Sequence, residues 1–166
     1  MADIKIGTRH YDLSATDEKR ERITKKQEGT TTNSHAVRLV DAKIRKNGEV
    51  VKIFSRDDGN RFNISEFTNA VREFVPDSLK NKLILELQII LGKFAEMRQK
   101  YPGFRIYSSS LLIIYDGDAP EKGISVKLID LAHSYLNVEE HGGKADDPDL
   151  EDNVILGVRN LITFLL

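Results

Sequence analysis

Apolar residues recur at steps of three and four from Leu79 through Leu83, Leu87, Ile90, Leu91 and Phe94 to Met97, which predicts one long helix from about Ser78 to Lys100 with a single core-facing stripe. Elsewhere the period shortens to two. Asp3-Ile-Lys-Ile-Gly7 alternates and reads as a short strand ended by glycine. Residues 35–41 and 49–54 are rich in Val, Leu, Ile and Phe and flank Lys46-Asn-Gly48, the signature of a β-hairpin. Two further strand-like runs, Tyr107–Tyr115 and Ile124–Leu131, are joined by the turn-forming stretch 116–123 and so form an antiparallel pair. If Tyr115 faces Ile124, Ser110 lies across from Ile129 and Ser109 opposite Asp130. Helices are predicted from about Ala15 to Gln27, where Ser14-Ala-Thr-Asp17 has capping-box spacing, and from Asn63 to about Phe74, closed by Pro76. A last helix runs from Val154 to Leu165, with Asp152 or Asn153 as its cap. The order of elements gives an α+β domain over residues 1–166, an antiparallel or mixed sheet with helices packed around it.

Composition changes this picture mainly by exclusion. No apolar run approaches the ~20 residues of a membrane span, and the Met-Ala-Asp-Ile-Lys start has none of the pattern of a secretory signal. With no cysteine there is no disulfide framework, thiolate nucleophile or thiolate metal site. The formal net charge of −1 argues against nucleic acid as a partner. Locally the charge is uneven. Lys19, Arg20, Arg22, Lys25 and Lys26 are opposed only by Glu21, whereas acids dominate from Glu139 to Asp152. The basic segment suits a small, dense anion, although charge runs also form ordinary solvated faces.

Candidate chemistry sits at the open end of the second hairpin. Asp130 closes the apolar run Val-Lys-Leu-Ile, an odd place for a charge, and the predicted register brings it to a serine cluster that includes Ser110. A carboxylate beside a hydroxyl is a hard-oxygen pair suited to Mg²⁺ held together with substrate phosphates. The alternative is that Asp130 caps a turn and the serines merely end a strand.

Three stretches in fixed order carry a resemblance. Asp3-Ile-Lys-Ile-Gly7, Ser108-Ser-Ser-Leu-Leu-Ile-Ile-Tyr-Asp-Gly117 and Ile129-Asp-Leu-Ala-His-Ser134 resemble the Asp-x-Lys-x-Gly, Ser-Leu-Leu and Ile-Asp-Phe motifs of the inositol polyphosphate kinases. The wording around Gly7-Thr-Arg, Thr30-Thr-Thr32 and Phe104–Gly117 is most similar to the hexakisphosphate branch. Leu131 departs from the usual Phe, and His35, Ala36 and Asp41 stand where Leu and two glycines are common.

The resemblance implies the C-terminal lobe of a two-lobed enzyme related in build to protein kinases and ATP-grasp proteins. The family signature begins with a proline four residues before its aspartate, so the ATP-gripping N-terminal lobe is expected to be missing here. It further implies phosphoryl transfer from ATP, with Mg²⁺, to inositol hexakisphosphate, in the cytoplasm or nucleus. Asp3 and Lys5, on one face of their strand, would be catalytic. Asp130 and Ser110 would hold the metal, and His133 would brace Asp130 or pack as a structural histidine. Lys19, Arg22 and Lys26, at helical spacings on one face with Lys25 beside them, would grip an acceptor of roughly −9 charge, six phosphates at about −1.5 each. Arg20 should point away into solvent, and Asp152 should be a helix cap rather than a catalytic group. Two alternatives stay open: a multikinase acting on ring hydroxyls of lower inositol phosphates, and a non-catalytic inositol-phosphate-binding module.

Overall fold

The computed structural model describes residues 1–143 and 153–166. Its strands in chain order are β1 (Ala2–Ile6), β2 (Val37–Lys46), β3 (Glu49–Phe54), β4 (Arg105–Ile106), β5 (Ser110–Tyr115), β6 (Ile124–Ile129) and β7 (Ser134–Tyr135). The helices are α1 (Asp17–Gln27), α2 (Thr31–His35), α3 (Arg56–Arg61), α4 (Ile64–Phe74), α5 (Asp77–Lys100) and α6 (Asn153–Leu165). Five strands form one sheet in the order β3-β2-β1-β5-β6, antiparallel at every pairing, and β4 pairs with β7 apart from it.

β1 lies at the centre of the sheet, and its period of two sorts the molecule into a core side and a polar side. Ala2, Ile4 and Ile6 are buried on one face, while Asp3 and Lys5 stand on the other. On the core face these residues meet Leu39, Val37, Leu111 and Ile113 from the neighbouring strands, and α4, α5 and α6 pack over them. The predicted stripe of α5 forms this layer: Leu79, Leu83, Leu87 and Phe94 are buried, with Ile90, Leu91 and Met97 partly so. Val154, Val158, Leu161 and Leu165 do the same from α6 at three- and four-residue steps. Each such side chain contributes about 1.5–3 kcal/mol by leaving water. Among the described residues no helix is long and apolar enough to cross a membrane.

Both predicted hairpins form, the first with its leading strand at Val37–Lys46 rather than 35–41, and the second in the expected register as far as its ladder runs. Asn47 and Gly48 both take positive φ (52° and 78°), as a two-residue turn between β2 and β3 requires. Tyr115 faces Ile124 and Ser110 faces Ile129, but the ladder ends there, so Ser109 and Asp130 do not pair. The Ser109 carbonyl instead accepts from the Ile6 amide at 3.2 Å.

Two caps differ from expectation. Thr16, not Ser14, caps α1 by accepting from the Lys19 amide at 3.3 Å. Ser14 is engaged elsewhere: its amide and hydroxyl both donate to Asp12 Oδ1, at 3.1 and 2.8 Å. Pro76 starts α5 as its N-cap while Val75 ends α4, so the proline divides two helices. α2 and α3 are too short to show a period and were not anticipated. Asp152 lies outside the described residues.

Candidate active site

The polar face of the sheet opens into a cleft of about 430 Å³. Its floor is a row across three strands, because Lys5 on β1 is registered with Arg38 on β2 and with Ser110 on β5. Asp3 lies one step along on the same face. Asp130, immediately after β6, closes one side, and Lys5 Nζ donates to Asp130 Oδ2 at 3.3 Å. α1 lines a second side with Ile23, Lys26 and Gln27, and α3 a third with Arg56 and Asn60. His10 and Ser108, from the loops, and Val40 on β2 complete the lining.

Two lining residues other than glycine adopt left-handed backbone, Ser108 (φ 59°) and Asp130 (φ 63°). They flank the open end of the β5–β6 hairpin, one on each strand's continuation. Such conformations cost of order 1–3 kcal/mol and persist where surrounding structure imposes them.

The charges do not balance pairwise. Lys5, Lys26, Arg38 and Arg56 face Asp3 and Asp130. Burial and then the neighbouring Arg56 guanidinium hold the Arg38 pKa below its ordinary value. Arg38 Nη1 donates to Asn60 Oδ1 at 3.0 Å, but its Nε is buried with no partner. Two guanidiniums converging with a donor unused form a site prepared for an anion.

Burial raises the Asp3 carboxyl above its usual range, an effect partly offset by the Ser110 hydroxyl and the Lys5 ammonium. That hydroxyl sits beside the carboxyl without closing a hydrogen bond. Asp3 Oδ1 and Ser110 Oγ are both buried and unpartnered. Among the described residues no group of three or more His, Cys, Asp or Glu side chains could hold a metal by itself. Orphaned oxygens on Asp3 and Ser110 near the exposed Asp130 carboxylate do fit Mg²⁺ or Mn²⁺ when phosphate oxygens and water complete the coordination.

His10 is driven in the opposite sense. Burial, then Lys5 and Arg38, push its pKa down to about 4, and its Nε2 is buried without a partner. Between the unfolded value near 6.5 and about 4 the unfolded chain binds a proton that the folded chain refuses. Stability is therefore complete above pH 6.5 and falls as pH drops, by about 3 kcal/mol at pH 4. Urea unfolding across this range should show a steeper acid loss in the wild type than in His10→Gln. Equal slopes would contradict the assignment. Asp3, whose raised pKa acts with opposite sign, is common to both chains and cancels in the comparison.

The sequence-derived candidates are only partly brought together. Asp3, Lys5, Ser110, Asp130 and Lys26 line the cleft, while Lys19, Arg22 and Lys25 do not. Lys19 and Arg22 lie on earlier turns of α1, and Lys25 is exposed. Arg20 stays out of the cleft as expected and its side chain is 38% exposed, but it is not simply solvated: its Nη2 donates to the Leu13 carbonyl at 2.8 Å and Nη1 lies 3.8 Å from Asp17. His133 does not brace Asp130; its Nδ1 pairs with Asp12 Oδ2. Arg56, Asn60, Gln27 and His10 were not identified from sequence. A usable signal existed for the first two, since Ser55-x-x-Asp58 is a capping box that puts Arg56 and Asn60 one turn apart on a single helical face.

A family model described as inositol polyphosphate kinase matches residues 1–166. Inositol hexakisphosphate kinase 3 of Mus musculus is 28% identical over 187 residues, covering 99% of this chain and 46% of that protein. Inositol hexakisphosphate kinase 1 of Rattus norvegicus is 29% identical over 212 residues, covering 99% and 47%. The chain thus spans about half the length of the curated relatives it matches. Among solved structures, the inositol phosphate multikinase of S. cerevisiae in complex with ADP and Mn²⁺ superposes with a TM-score of 0.74 at 26% identity, covering 99% of this chain and 76% of that one. A second inositol phosphate multikinase structure gives a TM-score of 0.76 at 20% identity, with the same coverage, and supports the fold alone.

Proposed function

This chain belongs to the inositol polyphosphate kinase family, and from that premise we propose that its cleft takes part in transferring the γ-phosphoryl group of ATP to inositol hexakisphosphate, forming a diphosphoinositol polyphosphate. The observation that carries the reading is the convergence of Lys26 from α1, Arg38 from the floor and Arg56 from α3 on one cleft, beside Lys5 and the oxygens of Asp3, Ser110 and Asp130. The converging cations match an acceptor dense in phosphate, and the oxygen cluster matches a metal–nucleotide.

Phosphoryl transfer asks a protein mainly for positioning and for neutralising charge. Asp130 and Ser110 would hold the divalent ion, which when bound draws charge from the β- and γ-phosphates. Lys5, at the centre of the floor, neutralises the group in flight. Lys26, Arg38 and Arg56 fix the acceptor by charge-assisted hydrogen bonds. Asp3 positions the attacking oxygen. If that oxygen belongs to a phosphate, no proton has to leave it.

A second reading, a multikinase making monoesters on free ring hydroxyls, is favoured by Asp3: a half-buried carboxyl of raised pKa beside the lysine is placed to take a hydroxyl proton. Radiolabelled ATP, Mg²⁺ and a set of defined inositol phosphates separate the two, with ³¹P NMR distinguishing pyrophosphate from monoester. Monoester product alone would remove the hexakisphosphate reading. Tight binding of polyphosphate without turnover would leave a binding module.

Either way the contribution of these cations should be measurable. Arg38→Glu or Lys26→Glu should weaken inositol hexakisphosphate binding about 10–100-fold in calorimetry, since each charge-assisted contact is worth about 1.5–3 kcal/mol. The loss should shrink as salt is raised. Unchanged affinity in both variants would move the acceptor elsewhere.

A further inference from the structure

Asp12 and His133 meet outside the cleft and are used by nothing described so far. Asp12 is 1% exposed, yet burial does not raise its pKa: hydrogen bonds from Ser14, Tyr135 and His133 outweigh the desolvation and hold it below the ordinary value. As an ionised carboxylate it only accepts. Its donors are the Ser14 amide and hydroxyl on Oδ1, His133 Nδ1 on Oδ2 and the Tyr135 hydroxyl. A buried charge so fully satisfied holds its surroundings firmly, because releasing any one donor exposes a desolvated lone pair.

The positions of these groups in the chain give the cluster a purpose. Asp12 and Ser14 belong to the loop that follows β1, the strand carrying Asp3 and Lys5. His133 and Tyr135 follow Asp130 by a few residues. Asp130 itself is anchored weakly: it stands just past the last rung of the β5–β6 ladder, in left-handed backbone, with its side chain 57% exposed and Lys5 as its partner. Downstream, the backbone is held by a β4–β7 ladder only two residues long, by the Ser134 hydroxyl on the Leu131 carbonyl at 2.8 Å, and by the Tyr107 amide on the His133 carbonyl at 3.0 Å. So short a ladder fixes little by itself.

We infer that the Asp12–His133 pair is a strap joining the β1 loop to the segment after β6, and that His133 is a positioning residue that sets where the Asp130 carboxylate stands relative to Lys5. The inference rests on the reading of Asp130 as the carboxylate that meets the nucleotide's metal. His133 acts through its Nδ1 donor and touches no reactant.

The test compares His133→Ala, which removes the donor, with His133→Asn, whose side-chain amide places a donor near the Nδ1 position, in two measurements on the whole chain. The first is amide hydrogen exchange over residues 130–135. His133→Ala should exchange about tenfold faster there, with the core strands unchanged, and His133→Asn should return to within about threefold of wild type. The second is Mn²⁺·ADP binding followed by electron paramagnetic resonance, expected to weaken about tenfold in the alanine variant, to recover in the asparagine variant, and to leave inositol hexakisphosphate affinity within about twofold. Unchanged exchange in His133→Ala, or no recovery in His133→Asn, overturns the strap. If the wild type binds no Mn²⁺·ADP, the functional reading of Asp130 fails, and exchange still decides the strap.

Discussion

In Asp130→Asn, transfer of label from ATP to inositol hexakisphosphate should fall at least about a thousandfold, equivalent to roughly 4 kcal/mol of transition-state stabilisation. The substitution isolates chemistry from folding. Asparagine tolerates left-handed backbone as well as aspartate does, so φ 63° is retained. The ion pair with Lys5 is more than half exposed at its carboxylate end and contributes little to stability, so the melting temperature should stay within a few degrees. What is lost is the anionic oxygen that would hold a divalent cation against the nucleotide. Polyphosphate binding should be unchanged or tighter, because one negative charge has left a cationic cleft. A variant that keeps its rate would remove Asp130 from the mechanism. A variant that loses rate and acceptor affinity together would point to a collapsed cleft.

The largest stability change should come from Gly59→Ala, a loss of about 3 kcal/mol in urea unfolding. A Cβ at Gly59 would fall well inside contact distance of the Leu39 carbonyl, with the Leu39 carbon also close. Both obstacles are backbone in the middle of β2, so neither can turn aside as a side chain would. The helix has to lift, and it carries Arg56 and Asn60 with it, along with the Asn60 bond that orients Arg38. Acceptor affinity should therefore drop even where the chain remains folded. Gly92→Ala supplies the contrast. That glycine lies inside α5 with nothing within 4 Å of an added Cβ, so alanine there should stabilise by about 0.5–1 kcal/mol. Equal effects at the two sites would mean that helix propensity, not the approach of α3 to β2, governs Gly59.

Much of the fold was legible because its signals are local. The Asn47-Gly48 turn fixes one hairpin, the apolar stripe of α5 fixes the core layer, and the β5–β6 register follows once Tyr115 is set opposite Ile124. The site was legible in its strands and much less so elsewhere. Alternation put Asp3 and Lys5 on one face, but nothing local says that Arg38 is the neighbour of Lys5, since that pairing depends on a bulge between Asp3 and Ile4. Helical spacing grouped Lys19, Arg22 and Lys26, yet periodicity defines a face without saying how far along the helix the cleft extends. The partner of His133 was out of reach for a similar reason. Sequence proximity favoured Asp130, and only the tertiary fold brings Asp12 closer. The same buried carboxylate drew Ser14 away from its predicted role as a cap, an instance of a tertiary charge outcompeting a local motif.

The central place of β1 also bears on how the protein reaches its final state. Lys5 finds Arg38 within one short excursion of the chain, but it finds Ser110 only across the β2–β3 hairpin and the helices α3 to α5. Closing so long a loop is an entropic cost met before any contact rewards it. Helices and hairpins can form early on their own local signals, whereas the row Arg38–Lys5–Ser110 exists only once the long-range pairing of β1 with β5 is made. A chain arrested at an intermediate stage would therefore have most of its secondary structure and none of its anion-gripping floor.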